Sequence, residues 1–158
     1  MNGRAPKLAT GRCASERVLG RVRRLDTSSR LVSLDSLLEK LEHWRAASER
    51  VVAVVGAFDL VHAEHARRLA EARKGADRLA ALVQDDFWVA SELGPGSPVS
   101  PATDRARVVC ALRAVDAVVI LLPTDLARLR AALPEGESWQ SVAEVDRERM
   151  TRLRGGAA

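Results

Sequence analysis

The spacing of hydrophobic positions along this chain changes several times, and each change marks an element. From Ser33 onward, Leu34, Leu37, Leu38, Leu41 and Trp44 recur three and four residues apart, the repeat of one apolar helix face. Ser36 and Glu39 have the spacing of a capping box near its start. That period gives way to "RVVAVV", residues 50–55, a β-branched run closed by Gly56. A half-exposed strand alternates apolar and polar residues, so an uninterrupted run predicts a strand buried on both faces, as in a parallel sheet. Helical spacing returns over 62–74, through Ala66, Leu69, Ala70 and Arg73, with Gly75 as the stop. "DRLAALV", residues 77–83, predicts a second strand, and "SELGPGSPVSP", residues 91–101, a loop long enough to carry function. Thr103 is placed to cap a helix through Val115, "DAVVILL" over 116–122 predicts a third strand, and Thr124 is placed to cap a helix through Leu133.

Strand and helix therefore alternate three times, the order of a three-layer α/β domain with a parallel sheet and crossover helices. After Pro134 the chain turns polar, with no strong fourth strand before the closing "RGGAA", so the sheet is expected to be truncated at its C-terminal end. The expected organisation is a basic flexible leader over 1–31, the α/β domain over 32–133, and a polar tail over 134–158 that is helical in part.

Charge refines this picture at one end. The 158-residue chain carries a net +4, but its first thirty residues hold eight Lys or Arg against Glu16 and Asp26, +6 in all, which leaves −2 for the rest. A nucleic-acid surface clusters its cations on a folded face among stacking aromatics. Here the excess lies in a leader without aromatics, so nucleic acid is not expected as a partner, and the leader is expected to be disordered before about Leu31. No run of eighteen apolar residues and no secretory signal appears, which predicts a cytoplasmic protein without a membrane partner. Cys13 and Cys110 form neither a disulfide framework nor a metal knuckle, and Cys110 falls on an apolar helix face, as a core residue would.

The candidate chemistry sits in "GAFDLVHAEH", residues 56–65. In open α/β sheets ligands gather beyond the carboxyl ends of strands. A glycine turn leading into a helix N-terminus there favours an anion, through unpaired N–H groups and the positive end of the dipole. Phosphate is the natural ligand. A zinc deaminase site would need a Cys-x-x-Cys pair, which is absent, and a metalloprotease helix would need its histidines four apart, whereas His62 and His65 are three apart. No protein-liganded metal is expected. The plain alternative is that the two histidines merely finish a helix N-terminus.

Together, "GAFD", the histidine pair, "RARVVCALRAVDAVVIL" and the flanking segments give residues 32–133 a resemblance to the His-x-Gly-His nucleotidyltransferases. Within that cytidylyltransferase-like superfamily the chain is similar to the adenylyltransferase domain of ADP-heptose synthases and to glycerol-3-phosphate cytidylyltransferases. The resemblance implies a Rossmann-like fold that joins a nucleoside monophosphate, from ATP or CTP with Mg2+, to a phosphorylated small molecule, releasing pyrophosphate. It further implies that Gly56, Ala57, Phe58 and Arg105 bind the nucleotide, that His62 and His65 are catalytic, and that a homodimer is the assembly. Asp59, just past the strand, would cap the turn or hold His62 in one tautomer.

Several motif positions depart from the family pattern. Glu64 replaces the glycine between the histidines, Leu93 and Ser97 stand where a lysine and an arginine would, "QDD" over 84–86 replaces Asn-Ser-Asp, and the last strand with its Ser/Thr-rich turn has no evident counterpart. A carboxylate about 4 Å from a phosphate charge costs up to roughly 4 kcal/mol at an effective dielectric of about 20. Alternatively, Glu64 favours the helix dipole and pairs with Arg67 or Arg68 one turn on. Impaired nucleotidyl transfer is therefore the leading expectation. Its alternatives are an active adenylyl- or cytidylyltransferase completed by a partner chain or the leader, and a non-catalytic nucleotide-binding or interaction module.

Overall fold

The computed structural model describes residues 27–133 and 139–155. Strands β1 (Val51–Gly56), β2 (Arg78–Gln84), β3 (Ala117–Leu121) and β4 (Trp139–Ser141) form one parallel sheet in the order β3-β2-β1-β4. The helices are α1 (Leu34–Ala46), α2 (Ala63–Lys74), α3 (Asp86–Leu93), α4 (Ala102–Cys110), α5 (Leu126–Ala132) and α6 (Ala143–Gly155). Side chains alternate along each strand and so serve two cores. Val52, Val54, Leu79, Ala81 and Val83 pack with Leu69 of α2, Ala106 and Val109 of α4 and Val145 of α6. Val51, Ala53, Ala80, Leu82 and Val119 pack with Leu37, Leu41 and Trp44 of α1 and Leu129 of α5. This is the expected Rossmann-like α/β/α arrangement, and β1 and β2 read as continuous apolar runs because both of their faces are covered.

Several boundaries differ from the sequence expectation. Ser33 caps α1 and accepts the Ser36 N–H at 3.2 Å, so the cap lies three residues before Ser36. Helix α4 starts behind Pro101 without a side-chain cap and ends at Cys110, not Val115, because the chain must already turn toward β3. Thr124 lies inside a 3-10 turn over Pro123–Asp125 instead of capping α5. Helix α3 was not expected; Asp85 starts it by accepting the Trp88 N–H at 3.0 Å.

Ordered elements also lie beyond both ends of the expected 32–133 span. Residues 27–30, assigned to the leader, form a 3-10 turn, and Arg30 donates to the carbonyls of Cys110 at 3.2 Å and Leu112 at 3.1 Å. An arginine on the last carbonyl of α4 satisfies an acceptor that a helix end leaves open, and its second bond ties it to the turn that follows. The expected disorder of residues 1–26, and Cys13 with it, lies outside the described residues. At the other end a fourth strand does exist: β4 pairs with β1, placing Ser141 beside Val55, and the Val142 N–H continues the ladder to the Val55 carbonyl at 2.9 Å. Its three residues are partly or fully exposed, so it carries almost no hydrophobic signal. Among the described residues no helix is long and apolar enough to cross a membrane.

Candidate functional site

The chain runs outward from β1 to β2 and β3, then returns to the far side of β1 as β4. Strand order thus reverses between β1 and β4, and the crevice beyond their carboxyl ends is where such sheets hold ligands. Its walls are the β1–α2 turn and α6. Phe58 and Leu60 in that turn have φ of 52° and 54°. Left-handed backbone at non-glycine residues costs about 1–3 kcal/mol each and persists where surrounding structure imposes it. Here the Phe58 ring is fully buried in the core, while its N–H and that of Ala57 face the crevice. Gly56 is needed for a different reason. A Cβ there would lie 2.2 Å from Val142 Cγ2 and 3.2 Å from Asp146 Oδ2, so only glycine lets the start of α6 come this close.

The centre of the crevice is Asp146, which is 1% exposed. Its Oδ2 accepts the Ala57 N–H at 2.9 Å and the Phe58 N–H at 3.4 Å, and its Oδ1 lies 3.0 Å from His65 Nε2. The His65 Nδ1 accepts the His62 N–H at 3.3 Å. That bond leaves the ring proton on Nε2, from which it is donated to Asp146. His62 caps α2, its Nδ1 accepting the Glu64 N–H at 3.3 Å. The two rings meet edge to face, 4.5 Å between centroids. Burial, followed by the neighbouring His65 and the charge of Arg149, lowers the His62 pKa and favours the neutral ring. His62 Nε2 and Arg149 Nε are buried without a hydrogen-bond partner, and both residues line one pocket of about 290 Å3 with Arg68, Arg152, Glu64, Glu144 and Glu148. Two unsatisfied donors at one pocket are matched to a ligand rich in acceptors.

Other residues singled out in the sequence take different places. Asp59 neither caps its own turn nor touches His62. It is buried and accepts the N–H groups of Val99 at 2.7 Å and Ser100 at 3.2 Å, tying the β1–α2 turn to the loop before α4. Arg105 is also buried and braces the same edge: Nε donates to the Ser100 carbonyl at 2.9 Å, Nη1 to the Ala57 carbonyl, and Nη2 to Asp86 at 2.6 Å. Its bonds are all internal. Glu64 is held by Arg67, at 2.8 and 2.6 Å, and by Arg68 at 3.0 Å, and these bonds lower its pKa to about 2. The alternative reading of Glu64, paired along its own helix, is therefore the one observed.

Leu93 and Ser97, where cations are missing, are met by Arg154 of α6. Its Nη2 donates to the carbonyls of Leu93 and Pro95, both at 2.8 Å, and lies 3.4 Å from Ser97 Oγ. The sequence predicts a partly helical tail here but not its place at the site, and so misses Asp146, Arg149, Arg152 and Arg154. Val142, Val145 and Met150 gave a faint apolar stripe, but a buried aspartate interrupts it and nothing local signals its burial. Among the described residues no group of three or more His, Cys, Asp or Glu is placed to hold a metal ion.

Comparison with known proteins finds a family and several relatives. The family described as cytidylyltransferase-like matches residues 53–150. The bifunctional protein HldE of Methylobacillus flagellatus is 42% identical over 102 residues, covering 63% of this chain and 21% of that protein. HldE of Gluconacetobacter diazotrophicus is 42% identical over 106 residues, covering 66% and 22%. The chain thus spans about a fifth of the length of these relatives. A solved lipopolysaccharide core biosynthesis protein from Thermoplasma volcanium GSS1 is 24% identical, with a TM-score of 0.48 over 52% of this chain and 66% of that one.

Proposed function

Since the chain belongs to the cytidylyltransferase-like family, we propose that its β1–α2 turn is a phosphate-binding element for nucleotidyl transfer and that catalysis is impaired in the chain as it stands. The reaction class would be a nucleoside triphosphate, ATP or CTP, plus a sugar or polyol phosphate, giving a nucleotide-activated product and pyrophosphate. What supports this reading is the convergence of the Ala57 and Phe58 N–H groups and His65 Nε2 on one anionic group. Such preorganised donors are what phosphoryl-group chemistry asks of a protein, since it proceeds by positioning and by stabilising charge on oxygens. His62 and His65 would face the α-phosphate, donating through Nε2. Mg2+ would arrive on the triphosphate, screening its charge through phosphate oxygens and water.

Impairment is inferred from the same donors, because all three are already engaged by Asp146. A pocket of about 290 Å3 beside them is also small for a whole nucleotide, being at the low end of the roughly 300–1,000 Å3 usual for ligand pockets. An active transferase is the second reading, favoured by the cations of α6: Arg149 and Arg152 line the pocket, and Arg154 reaches the loop that lacks its own. A coupled pyrophosphate assay with ATP or CTP, Mg2+ and a panel of sugar phosphates decides between them. Turnover near background is expected. Sustained turnover abolished in His65→Ala would establish the second reading.

A further inference from the structure

We propose that Asp146 is a built-in substitute for a phosphate group, and that α6 regulates the site by competing with anionic ligands for the same three donors; this rests on the turn being a phosphate site. Backbone N–H groups in succession, joined by an imidazole N–H, form a receptor for an anion whatever its origin. In this chain the anion is a carboxylate from 88 and 89 residues away in sequence, seated with both oxygens engaged and, among the described residues, paired with His65 and with no lysine or arginine. A carboxylate and a phosphate oxygen pair cannot occupy this place together, because each needs the same N–H groups and the two charges repel at contact distance. An anion therefore enters only when Asp146 leaves.

The way α6 is attached makes departure feasible. It enters from a three-residue strand, and its buried residues are Val145, Asp146 and Met150. Beyond these it is tied down by Arg154 on the carbonyls of Leu93 and Pro95, at the solvent-facing end of the helix. When α6 withdraws, it carries Glu144, Val145, Glu148, Arg149 and Arg152 away from one wall of the 290 Å3 pocket, and the three donors are left facing an open crevice beside His62 Nε2, which has no partner. Ligand affinity in a two-state site is reduced by the fraction of molecules in the competent state. With that state populated at about 0.1–10%, removing the carboxylate should tighten anion binding by about 10- to 1,000-fold.

The test is calorimetric titration of the intact chain and of Asp146→Ala with sodium tripolyphosphate, Mg-ATP and Mg-CTP at matched ionic strength, with thermal melts in parallel. Asp146→Ala should melt lower than wild type in chloride, recover saturably with tripolyphosphate, and bind it at least about 10-fold more tightly. Folded Asp146→Ala that binds tripolyphosphate no better than wild type overturns the proposal. If Asp146→Ala does not fold, hydrogen exchange of the wild-type chain in concentrated tripolyphosphate decides: faster exchange in α6 supports displacement, and unchanged exchange overturns it. Tripolyphosphate binding tightened in Asp146→Ala, with ATP and CTP unbound, would sustain the proposal and defeat the nucleotide reading. Nucleotide bound to wild type with α6 still protected would do the reverse.

Discussion

Two buried charges hold the carboxyl edge of the sheet, and they grip the same residue from opposite sides. Arg105 takes the Ala57 carbonyl and Asp146 takes the Ala57 N–H. Arg105 is balanced by a full opposite charge, Asp86, and also ties down the Ser100 carbonyl, so that three segments depend on it. Asp146 is balanced by dipoles alone: two peptide N–H groups and a histidine whose ring proton it accepts. Nothing but a guanidinium in that position could replace the first, whereas any small anion has the chemistry to replace the second. One charge is a brace and the other behaves as a ligand.

Breaking the brace should have the largest effect. Arg105→Met leaves the Asp86 charge and two carbonyls without their donor, and loss of one partner of a buried pair costs about 3–5 kcal/mol. Because Asp86 is half exposed, the lower end of that range is expected in urea unfolding, and added phosphate should restore none of it. A drop below about 1 kcal/mol, or rescue by phosphate, would erase the distinction from Asp146.

The next effect sharpens the other side of the comparison. Gly56→Ala drives a Cβ into Val142 Cγ2, and overpacking of this kind costs about 1–3 kcal/mol. The strain can be relieved by moving α6 outward, so the variant should lose protection in α6 while β1–β3 stay protected from hydrogen exchange. Val142→Ala in the same chain removes the clashing methyl and should return most of the stability. If the double variant is no better than the single one, the clash is not what limits the approach of α6.

The smallest effect belongs to charges on the surface. Glu64, bonded to Arg67 and Arg68, and Asp77, bonded to Arg50, both have folded pKa values lowered to about 2. A carboxylate with a depressed folded pKa adds stability above its unfolded value, near 4.5 for Glu and 3.8 for Asp, and loses it as pH falls toward the folded one. Melting temperature should therefore decline between about pH 4.5 and pH 2, and Glu64→Gln with Asp77→Asn should flatten that decline. Both pairs are exposed, so the effect should shrink in molar salt, unlike the loss caused by Arg105→Met.

Legibility in the sequence follows burial symmetry. β1, β2 and β3 lie inside the sheet or against its helices on both faces, so "VVAVV", "RLAALV" and "AVVIL" reveal them without any tertiary knowledge. The turn "GAFD" and the pair His62 and His65 were equally readable, because a glycine turn after a buried strand fixes their place at its carboxyl end. Helix α3 was obscured because "DFWVASEL" is apolar on several sides, with Phe87 78% exposed. For β4 and α6 the pattern fails for a physical reason: an exposed edge strand of three residues has no period, and an aspartate is read as solvated unless its donors are known. Those donors lie in the β1–α2 turn. Asp59 and Arg105 stood out as important residues but were given other partners, the turn or His62 for Asp59 and the nucleotide for Arg105, since neither the Val99 and Ser100 amides nor Asp86 can be identified as partners from spacing alone.

The short segment ahead of α1 has a consequence for how the molecule meets others of its kind. Leu31 bridges to Val118 and the Val32 N–H donates to the Val118 carbonyl at 2.9 Å, so the outer side of β3 is already partly paired by the chain itself. The opposite border of the sheet is β4, with three residues. Unpaired strand borders are templates for adding a strand from another molecule, and proteins blunt them by covering them or keeping them very short. Here each device is used once, one at either border. Both borders are thereby poor templates for adding a strand from another copy of this domain.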